Sequence, residues 1–452
     1  MFVDTHTHLF LKNFSEDLER VIDNARKVGV QYMLVPGTDI ESSRQAIELA
    51  EKYDFIYAAV GVHPHDTKEW NDAWIEEIRQ LAKHEKVVAI GEIGLDYFYD
   101  FSPKEKQHQA FEKQIQLAIE LNLPVVIHNR ESNDDIMEFA RKYKETKLKA
   151  QYHCFAGTAD NAHELVEMRH YISFTGNITF KKADSVREVL SQVNIENVLL
   201  ETDSPFLTPV PHRGKRNEPK YIPLIAETVA YIHNLRIDDV AHITSSNAYK
   251  LFGIGEKMEV SYTYQIGKAL YVNITNRCNA DCIFCDRKRE AAIHGYSLKM
   301  SKAEEPDAEV YISEIGDPTK HSEIVFCGYG EPTIRWDVVK QIAKYVKANG
   351  GKTRMNTDGH GNYINKYNIT PELKGVIDSV SISLNSTDPK QYAKLMRVDE
   401  QMHTEMIDFA KRAKEYTHVV MSIVGLSSVD TEKAKQFVTN EIGVDFRERE
   451  YF

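Results

Sequence analysis

Eight short apolar runs, separated by amphipathic stretches, occupy the chain from Phe2 to Asp203. The runs are Phe2–His8, Gln31–Val35, Phe55–Val62, Val87–Glu92, Pro124–His128, Ala150–His153, Tyr171–Phe174 and Asn197–Asp203. Their length and composition predict buried strands. Helical periodicity fills intervening segments such as Leu18–Val28, Glu41–Tyr53, Ala73–His84, Glu105–Leu121 and Asn133–Lys144. Eight strand–helix units in roughly 250 residues is the arithmetic of a parallel (β/α)8 barrel of the TIM type, here over residues 1–255. A doubly wound sheet usually has fewer strands and a glycine-rich phosphate loop after the first, which this sequence lacks.

Polar residues interrupt the pattern at the carboxyl ends of the runs, which converge on one mouth in such a barrel. His6 and His8 close the first run one residue apart, so strand alternation predicts both on one face with Asp4 behind them. His63 and His65 follow the third run, Glu92 ends the fourth, His128 the fifth, His153 the sixth and Asp203 the eighth. Singly, each reads as an ordinary loop residue; gathered at one rim they read as metal ligands. Imidazole and carboxylate without thiolate suit Zn or Mn, with Mg less natural. Six ligands, His6, His8, Glu92, His128, His153 and Asp203, exceed what one catalytic ion takes from protein. The expectation is therefore two ions bridged by Glu92, with Asp203 accepting a proton from an attacking water. A purely structural ligand is the competing role for Asp203. His63, His65 and Arg130 complete the candidate catalytic set.

At 452 residues the chain exceeds one ordinary core, and two or three units are expected from its length. Its net charge of −12 argues against binding nucleic acid through a broad basic face, but not against a nuclease that meets phosphate with metals and a few local cations. With no basic-then-apolar leader and no apolar run approaching the ~18 residues of a membrane span, the expected location is cytoplasmic. Five cysteines are too few and too uneven for a disulfide framework.

A helix-stop signal at Gly253-Ile254-Gly255, followed by an extended stretch over Glu256–Tyr264, marks the seam. The apolar run Ala269–Thr275 then leads into Cys278, Cys282 and Cys285. Thiolates spaced Cys-x3-Cys-x2-Cys can hold three irons of a [4Fe–4S] cluster and leave the fourth iron to a ligand's amine and carboxylate. A zinc knot with Cys327 as fourth ligand is the alternative. The run Glu323–Cys327 ends in Gly328-Tyr329-Gly330-Glu331-Pro332, where glycines let backbone approach a ligand and Glu331 can accept from an ammonium. Further strands are predicted at Lys352–Asn356, Asp378–Leu384 and His418–Val424. Helices are predicted at Asp337–Lys347, Asp388–Leu395, Met402–Tyr416 and Thr431–Glu441. Six units, the last poorly marked, predict a partial (β/α)6 barrel over residues 262–452.

The first half resembles the TatD family of metal-dependent deoxyribonucleases. The matching stretches are Asp4-Thr5-His6-Thr7-His8-Leu9, Gly61-Val62-His63-Pro64-His65, Gly91-Glu92-Ile93-Gly94-Leu95-Asp96, Val126-Ile127-His128-Asn129-Arg130, Tyr152-His153-Cys154-Phe155, Glu201-Thr202-Asp203-Ser204-Pro205 and Arg213-Gly214-Lys215-Arg216-Asn217-Glu218-Pro219. The resemblance implies divalent-metal phosphodiester hydrolysis, with 3′-to-5′ exonuclease action on single-stranded DNA and RNA as a further substrate. It places the six ligands at the metals and makes the loop with Arg213 and Lys215 the phosphate side, where Arg130, directly after a ligand, adds a third expected cation; singly, Lys215 or Arg216 is more often simply solvated. Related barrels cleave an amide or ester instead, which is the competing reading.

The second half resembles the radical SAM superfamily, through the three-cysteine motif with Phe284 before its last thiol and through Gly328-Tyr329-Gly330-Glu331-Pro332. The resemblance implies that S-adenosylmethionine chelates the open iron and is reductively cleaved, with an electron donor such as flavodoxin or ferredoxin as partner. Gly328, Gly330 and Glu331 are then expected at the SAM amine; Asn356, Ser383 and Asn385 stand at strand ends where such enzymes contact the ribose and carboxylate, with ordinary strand-end polar residues as the equally good alternative. A cluster-binding sensing module without turnover is the alternative. The order of the two parts resembles TatD-associated radical SAM proteins.

Overall fold

The computed structural model describes residues 1–256, 259–288, 291–426 and 428–449. The chain divides into two units, Met1–Lys257 and Met258–Phe452. In the first, eight parallel strands follow one another in sequence order: β1 (Phe2–Asp4), β2 (Val30–Pro36), β3 (Ile56–Val60), β4 (Val87–Asp96), β5 (Val125–Arg130), β6 (Ala150–Tyr152), β7 (Tyr171–Phe174) and β8 (Val198–Leu200). Backbone bonds from Thr5 N to Leu200 O (3.0 Å) and from His8 N to Ser204 O (2.9 Å) join the first segment to the last.

Small or flat side chains fill the space between the strands. Val3, Leu34, Ala59, Ala89, Val126, Tyr171 and Leu199 form one cluster with Ala248, Leu251 and Phe252 of the helix Ile237–Phe252. A larger cluster joins the strands to the surrounding helices and includes Phe14, Met33, Ile47, Phe111 and Ile225.

The first strand is shorter than its apolar pattern predicts and ends at Asp4. The Asp4 carboxylate is wholly buried and accepts from Thr202 N (2.9 Å), Thr202 Oγ1 (2.6 Å) and His6 N (3.3 Å). That clamp pulls the chain out of strand geometry and bolts it to the end of β8. His6 and His8 therefore do not share a face by strand alternation; the clamp and the Thr7–Ser204 bridge bring them together.

The second unit is built on a seven-stranded sheet. Its strands in chain order are β9 (Thr263–Ile266), β10 (Ala269–Asn273), then, after a small ribbon β11 (Ala292–Ile293) and β12 (Tyr296–Ser297), β13 (Ile324–Cys327), β14 (Thr353–Thr357), β15 (Ser379–Ser383), β16 (His418–Val424) and β17 (Asp445–Arg449). From β10 through β17 the sheet neighbours run parallel, and β9 adds an antiparallel edge. Six parallel strands agree with the expected partial barrel. Ile324, Phe326, Met355, Val380, Ile382, Met421 and Ile423 pack toward helices Trp336–Ala348 and Gln401–Ala413. The alternate positions Asn356, Ser383 and Arg449 face the opposite side of the sheet. The extended stretch expected over Glu256–Tyr264 falls partly outside the described residues, as do residues 450–452 of the expected second domain.

Candidate metal centre and cysteine loop

At the carboxyl ends of β1, β3, β4, β5, β6 and β8 the predicted donors converge. His6 Nε2 lies 3.2 Å from His8 Nε2, and Asp203 Oδ1 stands 3.8 and 3.4 Å from them. The two oxygens of the buried Glu92 carboxylate face different partners. Oε2 is 3.3 Å from His6 Nε2 and 3.6 Å from His8 Nε2. Oε1 is 2.8 Å from His153 Nε2, 3.0 Å from His128 Nδ1 and 3.5 Å from His63 Nε2. Donor atoms of His6, His8 and Asp203 lie within 4.8 Å of one another, as do those of His63, Glu92 and His128. The sequence reading kept His63 out of the ligand set; the structure puts it beside Glu92 and His128.

Electrostatics fit a cation site. Burial, with His153 nearby, lowers His6 to about 4, and burial with His128 nearby holds His63 well below its ordinary value, so both imidazoles present lone pairs near neutral pH. Burial alone would raise Glu92, but His153, His6 and His63 outweigh it and keep the carboxyl well below its usual range. In His153 burial is outweighed by Glu92, which lifts the imidazole to about 9. Among the described residues lining the cavity, Arg130 is the one Lys or Arg side chain. His6 Nδ1, His8 Nδ1 and His153 Nδ1 are also buried without hydrogen-bond partners. The donor set suits divalent metal ions.

Two carboxylates that sequence reasoning left inside motifs surround these donors. Asp96 Oδ2 bonds His65 Nε2 (2.8 Å) and His128 Nε2 (3.1 Å), while its Oδ1 accepts from Phe98 N and Tyr99 N (both 3.0 Å). His65 thereby stands one carboxylate away from the ligand cluster. Glu201 is fully buried, accepts from Gln151 Nε2 (2.6 Å), Cys154 N (2.6 Å) and Ser173 Oγ (2.9 Å), and lies 3.9 Å from His153 Nδ1. Burial raises it to about 7.

All these donors except the fully buried His6 line a cavity of about 630 Å³ together with Phe10, Thr38, Tyr99, Arg130, Asn177 and Phe206. Arg213 and Lys215 do not line it. The Arg213 guanidinium instead lies 3.8 Å from the Phe180 ring centroid, and Lys215 is exposed. Neighbouring Arg216 is taken by Asp17 (2.8 Å) and Glu218 (2.9 Å). Of the three expected phosphate-side cations, only Arg130 reaches the mouth.

In the second unit the cysteine loop follows β10 and is pinned on two sides. Asp281 N and Ile283 N donate to Met396 O (2.9 Å) and Leu395 O (3.0 Å), and Glu331 N donates to Arg277 O (2.8 Å). Gly330 makes that last approach possible, since a Cβ there would stand 2.3 Å from Arg277 O and 2.4 Å from Thr275 O. Cys278 and Cys282 pack with Phe284 against the core. Cys278 Sγ lies 3.9 Å from Asp358 Oδ2, and Cys282 Sγ lies 3.4 Å from Met396 Sδ. Burial pushes the Cys282 thiol up to about 12 and raises Cys278 as well. Cys327 sits in a separate buried cluster, 3.1 Å from the Tyr264 hydroxyl, which does not suit the zinc-knot alternative.

Glu331 Oε1 accepts from Thr333 N (3.0 Å), Thr333 Oγ1 (2.6 Å) and Thr357 Oγ1 (2.8 Å), while its Oε2 accepts from Asp358 N (2.7 Å). Burial and the neighbouring Asp358 raise it well above its ordinary value. Asn356 is likewise engaged, accepting from Arg354 (2.8 Å). Ser383 accepts from Arg449 (3.2 Å), whose Nε is buried without a partner, as is Asn385 Oδ1. These orphaned atoms fit a polar ligand above the sheet. Arg449 was missed because β17 reads Asp-Phe-Arg-Glu-Arg, a pattern that looks solvated.

A parallel eight-stranded barrel with imidazoles and carboxylates at its carboxyl mouth defines a metal-dependent hydrolase, and the sheet with its cysteine loop defines a second enzyme unit. The chain belongs to the TatD related DNase family, which it matches over residues 3–253, and it matches the Radical SAM superfamily over residues 272–439. It is 44% identical over 254 residues to the metal-dependent hydrolase YabD of Bacillus subtilis, covering 56% of this chain and 100% of that protein. It is 37% identical over 262 residues to the 3′-5′ ssDNA/RNA exonuclease TatD of Musicola paradisiaca, covering 57% and 99%. The crystal structure of the TatD homologue YJJV from Escherichia coli K12 superposes with a TM-score of 0.54 at 31% identity, covering 56% of this chain and 98% of that one. Among the described residues no helix is long and apolar enough to cross a membrane.

Proposed function

We propose that the first unit is a 3′-to-5′ exonuclease on single-stranded DNA, and on RNA, and that the second reductively cleaves S-adenosylmethionine. The observation carrying the first reading is Glu92, whose two oxygens face separate groups of imidazoles. His6, His8 and Asp203 would hold one ion and His128 and His153 the other, with Glu92 between them and His63 beside the second. Bound divalent ions supply a polarised phosphoryl oxygen and a hydroxide near neutral pH. Asp203 would accept the proton released by the attacking water. Arg130 orients the phosphate. The related TatD of Musicola paradisiaca carries the exonuclease description, and the Arg130 guanidinium at the mouth suits a phosphodiester more than an amide.

The test is incubation of the full chain with a labelled single-stranded oligonucleotide and Mg, Mn or Zn. Stepwise shortening from the 3′ end is expected, and Glu92→Ala should abolish it. No shortening with any of these ions defeats the reading.

In the second unit Cys278, Cys282 and Cys285 would hold the cluster, which supplies the electron for SAM cleavage, with flavodoxin or ferredoxin as donor. Arg449 and Asn385 orient the polar end of the ligand through their unpartnered atoms. Anaerobic reconstitution and reduction should release 5′-deoxyadenosine from SAM. Its absence would favour a sensing module.

A further inference from the structure

The metal cavity is bordered by apolar rings turned to water. Among the described residues, Phe98 (51% exposed), Tyr99 (38%), Phe101 (56%) and Phe206 (53%) are large exposed hydrophobics, and all four come from two loops at this mouth. Exposed aromatics on a frayed loop would mean little, but this loop is tied at both ends. Gln107, itself buried, accepts from Asp96 N (2.9 Å) and donates to Asp96 O and Ser102 O (3.0 Å each), while the Asp96 side chain holds Phe98 N and Tyr99 N. Ser102 Oγ adds a bond to His65 O (2.8 Å). Polar side chains inside the unit thus hold aromatic ones outside it.

The rings are ordered as a shelf. Tyr99 and Phe101 stack nearly parallel, with centroids 5.2 Å apart and an interplanar angle of 14°. The Arg130 guanidinium lies 4.8 Å from the Tyr99 centroid and 4.1 Å from that of Phe98. His65 meets Phe101 and Tyr99 edge-on at 4.8 and 5.3 Å, which joins the shelf to the donor cluster through Asp96. On the other flank Phe206 lies 6.3 Å from His8. The donors are thus bracketed by aromatic rings, with a cation on one side.

We infer that this aromatic shelf is a nucleobase-stacking subsite, on which unpaired bases of the substrate strand lie while Arg130 meets the adjoining phosphate. The inference rests on the nuclease reading and deepens it. Every base has a π-face, so stacking tolerates all sequences, and a base must leave its duplex partner to stack, which selects single strands. The same chemistry answers the net charge of −12. A strand gripped mainly by rings needs few phosphate contacts, so its affinity should depend only weakly on salt.

The test measures binding separately from hydrolysis. A fluorescent oligothymidylate, and the same strand with abasic residues at its 3′ end, are titrated with the full chain in chelator, and their cleavage is then measured with Mn. Removing stacked bases costs on the order of ten-fold each. The wild type should therefore bind the base-bearing strand at least ten-fold more tightly than the abasic one. Phe101→Ala and Tyr99→Ala should shrink that ratio toward one, Phe101→Tyr should keep it, and KM should move more than kcat. Because Phe101 is more than half exposed, its truncation leaves the core intact, and circular dichroism checks this. Equal binding of the two strands by the wild type, or variants that weaken both equally, overturns the stacking subsite even if hydrolysis occurs. A preserved binding ratio without hydrolysis leaves the subsite standing and overturns the nuclease reading.

Discussion

Replacing Asp96 by Asn tests whether the site depends on which nitrogen of His128 carries the proton. Asp96 Oδ1 is held by the two backbone N–H groups of Phe98 and Tyr99, so the oxygen of an asparagine is fixed there. The amide nitrogen must then replace Oδ2, facing His65 Nε2 at 2.8 Å and His128 Nε2 at 3.1 Å. An NH2 group can only donate, so His128 Nε2 becomes the acceptor and its proton moves to Nδ1. That nitrogen faces Glu92 and His153, and once protonated it has no lone pair for a metal. Loss of such an orienting carboxylate typically costs 10–100-fold in metal affinity, or about 1.4–2.7 kcal/mol. Asp96→Asn should therefore weaken Mn binding by about that factor at the His128 side, with the His6–His8 side nearly unchanged. Calorimetric titration should show one of two binding steps weakened. A folded Asp96→Asn protein with both steps intact refutes the reasoning.

Cys282→Ala should abolish iron retention and the visible absorbance of the reconstituted protein while oligonucleotide cleavage continues; loss of both activities in a folded chain would mean that the two sites are coupled. Gly330→Ala drives a Cβ against Arg277 O and Thr275 O, so overpacking should destabilise the second unit by about 1–3 kcal/mol, read from urea unfolding and iron content. Hydrogen bonding to Arg216 holds the Asp17 carboxyl down at about 2, well below its ordinary value. A depressed acid stabilises the fold above its unfolded pKa, so this tie is complete near pH 5 and is lost as pH falls through 2. Hydrogen exchange in residues 211–217 should accelerate over that window, and Asp17→Asn should produce the faster exchange already at neutral pH.

The legible parts of the site were those whose signal is local. His6, His8, Glu92, His128, His153 and Asp203 each stand where an apolar run stops, and the barrel rule alone gathers such positions. His63 carries the same signal, yet nothing local distinguishes a residue touching Glu92 from one, such as His65, standing behind Asp96. Arg213 and Lys215 illustrate the opposite error. A basic loop looks poised for phosphate until the fold shows one guanidinium lying against Phe180 and the other side chain in solvent. Glu331 was legible as a loop residue, but only the fold shows its Oε1 held by Thr333 and Thr357 and its Oε2 by Asp358 N.

Periods of two and 3.6 residues are properties of neighbouring amino acids, so the alternation of strands and helices, the two-unit division and the kinds of donor available were written in the sequence itself. Where those donors point was decided by contacts between residues far apart in the chain. Asp4 reaches Thr202 across 198 positions, ends β1 early and thereby turns His6 and His8 inward. Arg449, on a strand that reads as solvated, is half-buried and bonds Ser383 only because β17 closes the row of parallel strands beside β16. Backbone periodicity ends where a strand ends, and beyond that point a side chain's direction is set by whichever distant partner satisfies its loop.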